Sequence, residues 1–314
     1  MKTLLRPALL FVAIGLALYL ALYAAAEALV WRHGRSNPLF KVAQLEQADV
    51  DWVVLGASHA MPLDFDDFNA GLQRASGQRL LHLAGPGTGP LYNRFVLEQF
   101  LLRHRARHLL YAVDAFAFYS RTWNEDRFSD ARLLRRTPWD PAVAARLLRY
   151  VRDEGVAATS WLDYVSGFSK INNAERFAVD AWEGESQFER VARPSKSALA
   201  KRIAYMYPQQ TSTAARERYL AVLSELLGLA RRHGMQAVLV KMPLPAAFRA
   251  QLPGEAQFDA ALQRVAAAQG ARLVDFSGAL PDARLYFDTD HLNRQGLTAF
   301  ATTALLPLLA AAGR

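Results

Sequence analysis

The chain has 314 residues, a formal net charge of +8 and no cysteine. Hydrophobic residues make up 52% and charged residues 21%, which fits a globular chain and excludes a disordered one; the lack of cysteine excludes disulfides, thiol catalysis, thiolate metal sites and an N-terminal lipoprotein cysteine. The positive balance suits anionic partners such as acidic glycans or lipid headgroups, but Arg and Lys are scattered along helical stretches with no basic arm and no zinc spacing, so nucleic acid is set aside as a partner.

Pro7 to Ala26 is an uncharged stretch of twenty residues. As a helix it would be about 30 Å long, the thickness of a bilayer hydrocarbon core. Lys2 and Arg6 precede it, and Tyr19, Tyr23 and Trp31 stand toward its far end, where aromatic residues favour the interface. An uncleaved membrane anchor over residues 1–31 is the expectation. The alternatives are a cleaved signal peptide, for which Ala24-Ala25-Ala26 offers small residues, and a buried core helix. Arg32, Arg35 and Lys41 nearly balance the positive charge before the span, so charge alone leaves the orientation open.

A polar connector, residues 32–49, leads to a domain over 50–314. VDWVVLGAS reads as a buried strand, and RLLHLAG (79–85) and RHLLYAVDA (107–115) as the second and third. Residues 90–105 have helical spacing. A helix over 213–233 precedes a fourth strand (235–245); a helix over 255–269 precedes a fifth (270–278); an apolar helix runs from Arg294 on. Strands alternating with helices of ten or more residues predict an α/β fold with a doubly wound parallel sheet covered on both faces. Ligands bind such sheets at the carboxyl ends of the strands. Residues 116–212 break the alternation and read as a mostly helical insertion. Trp123, Trp139, Trp161 and Trp182 lie within it, either stacking on sugar rings or serving as core.

Three segments carry the chemistry. In Gly56-Ala57-Ser58-His59, a serine follows a buried strand on small residues, where its backbone N–H can face an oxyanion; the same pattern also serves plain turns. Phe287-Asp288-Thr289-Asp290-His291-Leu292-Asn293 offers a histidine base and a carboxylate to orient it. Asp288 is better spaced to reach His291 Nδ1 than its neighbour Asp290, and Asn293 reads as a helix N-cap. A metal site here is a weak competitor, since one His with two Asp has no second His nearby, and no cofactor is expected. Ala84-Gly85-Pro86-Gly87-Thr88-Gly89-Pro90 follows the second strand, and Gly85 or Gly87 could give a second oxyanion donor, although an ordinary strand-to-helix turn looks the same.

Gly-Ala-Ser-His, the glycine-rich turn and the D-x-x-H run FDTDHLNRQG together resemble the SGNH/GDSL hydrolase superfamily, over about 50–115 and 213–310. The resemblance implies a three-layer, flavodoxin-like α/β/α fold, Ser58, His291 and Asp288 as catalytic triad, and oxyanion donors at Ser58, Gly85 and Gly87. The chain departs from the pattern after the third strand, where the family often carries an oxyanion asparagine. Here Asp114 stands there, with Asn124 ten residues on, and an ionised Asp114 would oppose an oxyanion. Members with one N-terminal membrane segment are similar to the alginate O-acetylation proteins and the D-alanyl transfer protein of teichoic acid modification. That similarity implies a bacterial inner-membrane, single-pass protein with a periplasmic domain. Its substrate would be an acylated glycan or acyl donor, its partner a membrane-bound O-acyltransferase, and its activity esterase or acyltransferase on an envelope polysaccharide. An inactive glycan-binding or scaffold subunit is the alternative.

Overall fold

The computed structural model describes residues 2–46, 49–208 and 211–312. The chain forms two compact units: the N-terminal residues through Ala43 with Phe128–Asp180, and Gln44–Arg127 with Ala181–Arg314.

The second unit is built on five strands: β1 (Asp49–Gly56), β2 (Leu80–His82), β3 (Arg105–Ala112), β4 (Gln236–Lys241) and β5 (Arg272–Asp275). All pair in parallel, in the order β2-β1-β3-β4-β5. This is a doubly wound α/β sheet, as the alternation of strands and helices predicts. Parallel neighbours need crossovers, and helices Phe68–Ser76, Pro90–Phe100, Thr213–Arg232 and Glu255–Gln269 supply them. The strands are apolar on both sides because both faces are covered. Trp52 and Val54 of β1, Leu110 of β3 and Val240 of β4 pack on Leu72, Phe300, Leu305 and Leu309. Helices Pro90–Phe100, Thr213–Arg232 and Glu255–Gln269 pack against one another and against the strands.

The helix expected over 90–105 stops at Phe100, leaving a turn before β3 begins at Arg105. Helix Phe68–Ser76 and a tight 3-10 turn at Ser58–Asp64 are additional elements that hydrophobic spacing did not reveal; the first has a single buried side chain, Leu72. The C-terminal helix begins at Arg294, and Asn293 caps it by accepting the Gly296 N–H at 2.9 Å. It widens into one π turn at Ala301–Leu305 before ending as Leu306–Ala312.

The first unit is helical. Helix Lys2–His33 is exposed from Leu5 to Leu22, and farther along it buries Ala26 and Val30. Among the described residues it is the one helix long and apolar enough to cross a membrane. A short helix, Pro38–Gln44, lies within the expected connector; Asn37 caps it through Oδ1 and ties it by Nδ2 to the Leu133 carbonyl at 2.8 Å. Helix Pro141–Asp153 starts with an Asp140 cap and a proline at its first position, both favourable at a helix start. The segment 116–212 is thus shared: 128–180 belongs to the first unit, the flanking parts to the second.

Gly296 has no room for a side chain, because a Cβ there would lie 2.1 Å from the Leu285 carbonyl oxygen. Gly296→Ala is expected to destabilise the protein by about 1–3 kcal/mol, the usual cost of overpacking, read as a lower midpoint in chemical denaturation.

Candidate active site

β1 delivers its last residues to the carboxyl end of the sheet, and the chain turns sharply there. Gly56 has φ +143°, and a Cβ on it would meet Ala112 at 2.8 Å, so glycine lets β1 end tightly against β3. The Gly56 N–H donates to Asn93 Oδ1 at 3.1 Å, fixing the strand end to helix Pro90–Phe100. Ala57 is extended and Ser58 opens the 3-10 turn, largely buried. The first N–H groups of such a turn lack an acceptor within it.

The loop before the C-terminal helix folds back on itself. Tyr286 and Leu292 form an antiparallel bridge, and the Phe287 N–H donates to the His291 carbonyl at 2.9 Å. Asp288 Oδ1 accepts the N–H groups of Asp290 (3.0 Å) and His291 (2.8 Å), which shapes the loop. Asp288 Oδ2 lies 2.8 Å from His291 Nδ1, and His291 Nε2 lies 2.9 Å from Ser58 Oγ. Burial pushes the Asp288 carboxyl up, but the neighbouring His291 and the backbone N–H of Asp290 bring it below its ordinary value, so it is ionised at neutral pH. The imidazole is held by rings on three sides: Phe287 stacks at 5.5 Å, Trp182 meets it edge-on at 5.1 Å, and His59 lies 4.9 Å away.

Asp290 is not the partner of His291 Nδ1, from which it is 3.9 Å distant. It is buried and occupied elsewhere. Arg202 Nε reaches both of its oxygens (3.0 and 2.9 Å), Arg202 NH2 reaches Oδ2 at 2.7 Å, and His59 Nε2 reaches Oδ2 at 2.9 Å. The other nitrogen of His59 is 2.5 Å from Asp114 Oδ1. A neutral imidazole has one N–H, and a carboxylate only accepts, so two carboxylate partners call for the imidazolium form. Burial lowers the His59 pKa, but Asp114 and Asp290 outweigh it and hold the ring protonated, at about 10. Asp290 is held well below the ordinary carboxylate range: burial opposes this, and His291, Arg202 and His59 prevail. His59 and Arg202 are thus interleaved with Asp114 and Asp290 next to Ser58, and Asp114 faces the His59 ring instead of standing alone.

The glycine-rich turn braces the same region. The Gly85 N–H donates to the Gly56 carbonyl at 3.2 Å, and Thr88 Oγ1 donates to that carbonyl at 2.9 Å. The Gly85 donor is thus engaged with β1, while Gly87 lies against the Trp123 ring. Asn124 is fully buried; its amide donates to the carbonyls of Ala117 (2.8 Å) and Ser120 (3.0 Å), and its Oδ1 accepts the Leu91 N–H. Its donors are therefore spent. His59, Asp290 and His291 place ligand atoms within 4.8 Å of one another, a spacing that a metal ion could use. The donor set does not fit one, because Arg202 occupies Asp290 and His59 is kept protonated between Asp114 and Asp290.

The four tryptophans divide. Trp123 is core, donating to the Met206 carbonyl at 2.9 Å, and Trp182 is half-buried against His291. Trp161 donates to the Ala144 carbonyl at 3.2 Å, and Trp139 is exposed. Arg202 was not singled out by sequence reasoning; Trp182 was read there only as a stacking or core tryptophan, and His59 only as the neighbour of Ser58. His59 had the one available signal, its place beside the serine.

No family model and no curated protein matches the chain. Among solved structures it is similar to the crystal structure of "a putative acylhydrolase" from Bacteroides fragilis, with 8% identity and a TM-score of 0.45 over 87% of this chain and 94% of that one.

Removing the cation between two buried carboxylates is costly, and His59→Ala is expected to lower stability by about 3–5 kcal/mol, measured by denaturant unfolding near neutral pH. Because the folded pKa of His59 is raised from 6.5 to about 10, its contribution is complete below about 6.5 and fades as pH rises through about 10. The difference in stability between wild type and His59→Gln should therefore shrink across that window.

Proposed function

We propose that this chain is an SGNH-type serine hydrolase or acyltransferase, anchored in the bacterial inner membrane by its N-terminal helix with its catalytic domain in the periplasm. The observation that supports this best is the line Ser58 Oγ–His291 Nε2 (2.9 Å), His291 Nδ1–Asp288 Oδ2 (2.8 Å). A hydroxyl at hydrogen-bond distance from an imidazole whose far nitrogen is fixed by an ionised carboxylate is an activated nucleophile.

In the reaction, Ser58 Oγ attacks the carbonyl carbon of an acyl ester while His291 Nε2 takes its proton. Asp288 stabilises the imidazolium and keeps Nδ1 protonated. The tetrahedral oxyanion is met by backbone N–H groups, Ser58 and Gly87 being the donors left once Gly85 is assigned to the Gly56 carbonyl. Collapse expels the alcohol, which receives the proton from His291 and leaves an acyl-serine. Attack by water completes hydrolysis; attack by a sugar hydroxyl completes transfer, with His291 again moving the proton. His59 acts on this chemistry by keeping Asp114 compensated, so that a carboxylate in the place of the family's asparagine does not repel the oxyanion.

Acetyl-like groups on a cell-envelope polysaccharide are the substrate we favour, the net charge of +8 suiting an anionic glycan. A membrane-bound O-acyltransferase is the natural source of acyl groups. A non-catalytic glycan-binding or scaffold role is the second reading; the spent amide of Asn124 and the carboxylate of Asp114 are what favour it.

A fluorophosphonate should label the full-length protein in detergent, and Ser58→Ala should abolish labelling. Asp288→Asn should slow it by about 10²–10⁴-fold, since the far nitrogen of His291 loses its acceptor. Wild-type labelling that persists in Ser58→Ala, or no labelling of folded wild type, would turn the assignment to the scaffold reading.

A further inference from the structure

Within the helical unit, the N-terminal helix changes character along its length. Leu5 to Leu22 are all exposed, eighteen residues or about 27 Å of helix, close to the ~30 Å of a bilayer core. Four residues past Tyr23, Glu27 Oε2 holds the buried ammonium of Lys170 at 2.6 Å. An ion pair of this kind belongs outside hydrocarbon. For a helix that spans a bilayer, the edge would then fall between Tyr19 and Glu27.

A turn of the same unit is fastened at this level. The Tyr19 hydroxyl donates to the Ser166 carbonyl at 2.9 Å, and Gly167 packs against the Tyr23 ring. Ser166 ends helix Ala158–Ser166, and helix Phe168–Ile171 follows. On either side of this turn stand two large apolar side chains without cover: Phe168, 61% exposed, and Leu162, 54% exposed. Leu162 is four residues before Ser166 and so on the same face of its helix. Together they give the turn an exposed apolar face at the level of Tyr19 and Tyr23.

We propose that this turn is a second membrane contact, with Phe168 and Leu162 inserted into the leaflet on the side of the folded chain. The inference rests on the reading of Lys2–His33 as a membrane-spanning helix. Tyr19 then serves as an interfacial anchor and also as the tether that sets the turn's depth. Phe168 and Leu162 extend the apolar surface of the span sideways, and the ion pair of Glu27 with Lys170 limits how far the unit can sink. The helical unit is fixed against the lipid in tilt and rotation, which a bare helix and flexible connector would not achieve.

The chain has no cysteine, so single labels can be placed in the full-length protein. Leu16→Cys, Phe168→Cys and Arg152→Cys would each be spin-labelled and reconstituted in phosphatidylethanolamine/phosphatidylglycerol bilayers. Relaxation by oxygen is then compared with relaxation by a water-soluble nickel chelate. The expected oxygen-to-nickel accessibility ratio is several-fold higher at Leu16 and Phe168 than at Arg152. A lipid-like ratio at Leu16 with an Arg152-like ratio at Phe168 would overturn the second contact and leave the span standing. Poor access of both reagents at Phe168 would point to a protein covering it and also overturn the proposal. A water-like ratio at Leu16 would remove the span and the contact together.

Discussion

The carboxyl end of the sheet depends on one electrostatic constraint, that buried charges must be paired. His59 bridges Asp114 at the end of β3 and Asp290 in the loop before the last helix, and Arg202 closes the arrangement by gripping Asp290. A buried ion network adds little net stability over apolar packing. Its value is geometric: each partner sits on a different stretch of chain, and a misplaced partner would leave a charge uncompensated in the interior. Because His59 follows Ser58 directly, and Asp290 directly precedes His291, the network fixes the relative position of the serine and the imidazole without touching the hydrogen bond between them.

The same constraint separates two carboxylates that lie two residues apart. Asp288 stays partly exposed, spends one oxygen on loop N–H groups and gives the other to His291. Asp290 is withdrawn from water and held by Arg202, His59 and the Thr289 hydroxyl. Neighbouring acids thus have different partners, one orienting the His291 imidazole and the other holding the loop. The rings of Phe287 and Trp182 restrict His291 further, so its orientation is set by packing as well as by hydrogen bonding.

In the helical unit the N-terminal helix has, besides a stretch long and apolar enough to cross a bilayer, a segment packed into the unit. Its outer half buries Ala26 and Val30 and binds Lys170 through Glu27, so the helix is part of that unit's core. The consequence is that deleting residues 1–32 would remove packing partners of that unit along with the apolar stretch.

The sequence by itself determined the parallel α/β sheet, the positions of its strands to within a few residues, the Asn293 cap and the apolar span, because each is written in local periodicity, turn chemistry or run length. It also brought Ser58, Asp288 and His291 forward as one group, since the serine follows a strand and the D-x-x-H spacing lies on a single loop. Only the tertiary structure decided what surrounds them. Arg202 comes from a helix nearly ninety residues before Asp290 (88 apart), and no local pattern links a charge to a partner so distant. The compensation of Asp114 by His59, the engagement of Gly85 and Asn124 in bracing, and the sharing of residues 116–212 between two units have the same cause. Each depends on which groups become neighbours when the chain closes, and burial then forces every charge and donor among them to find a partner.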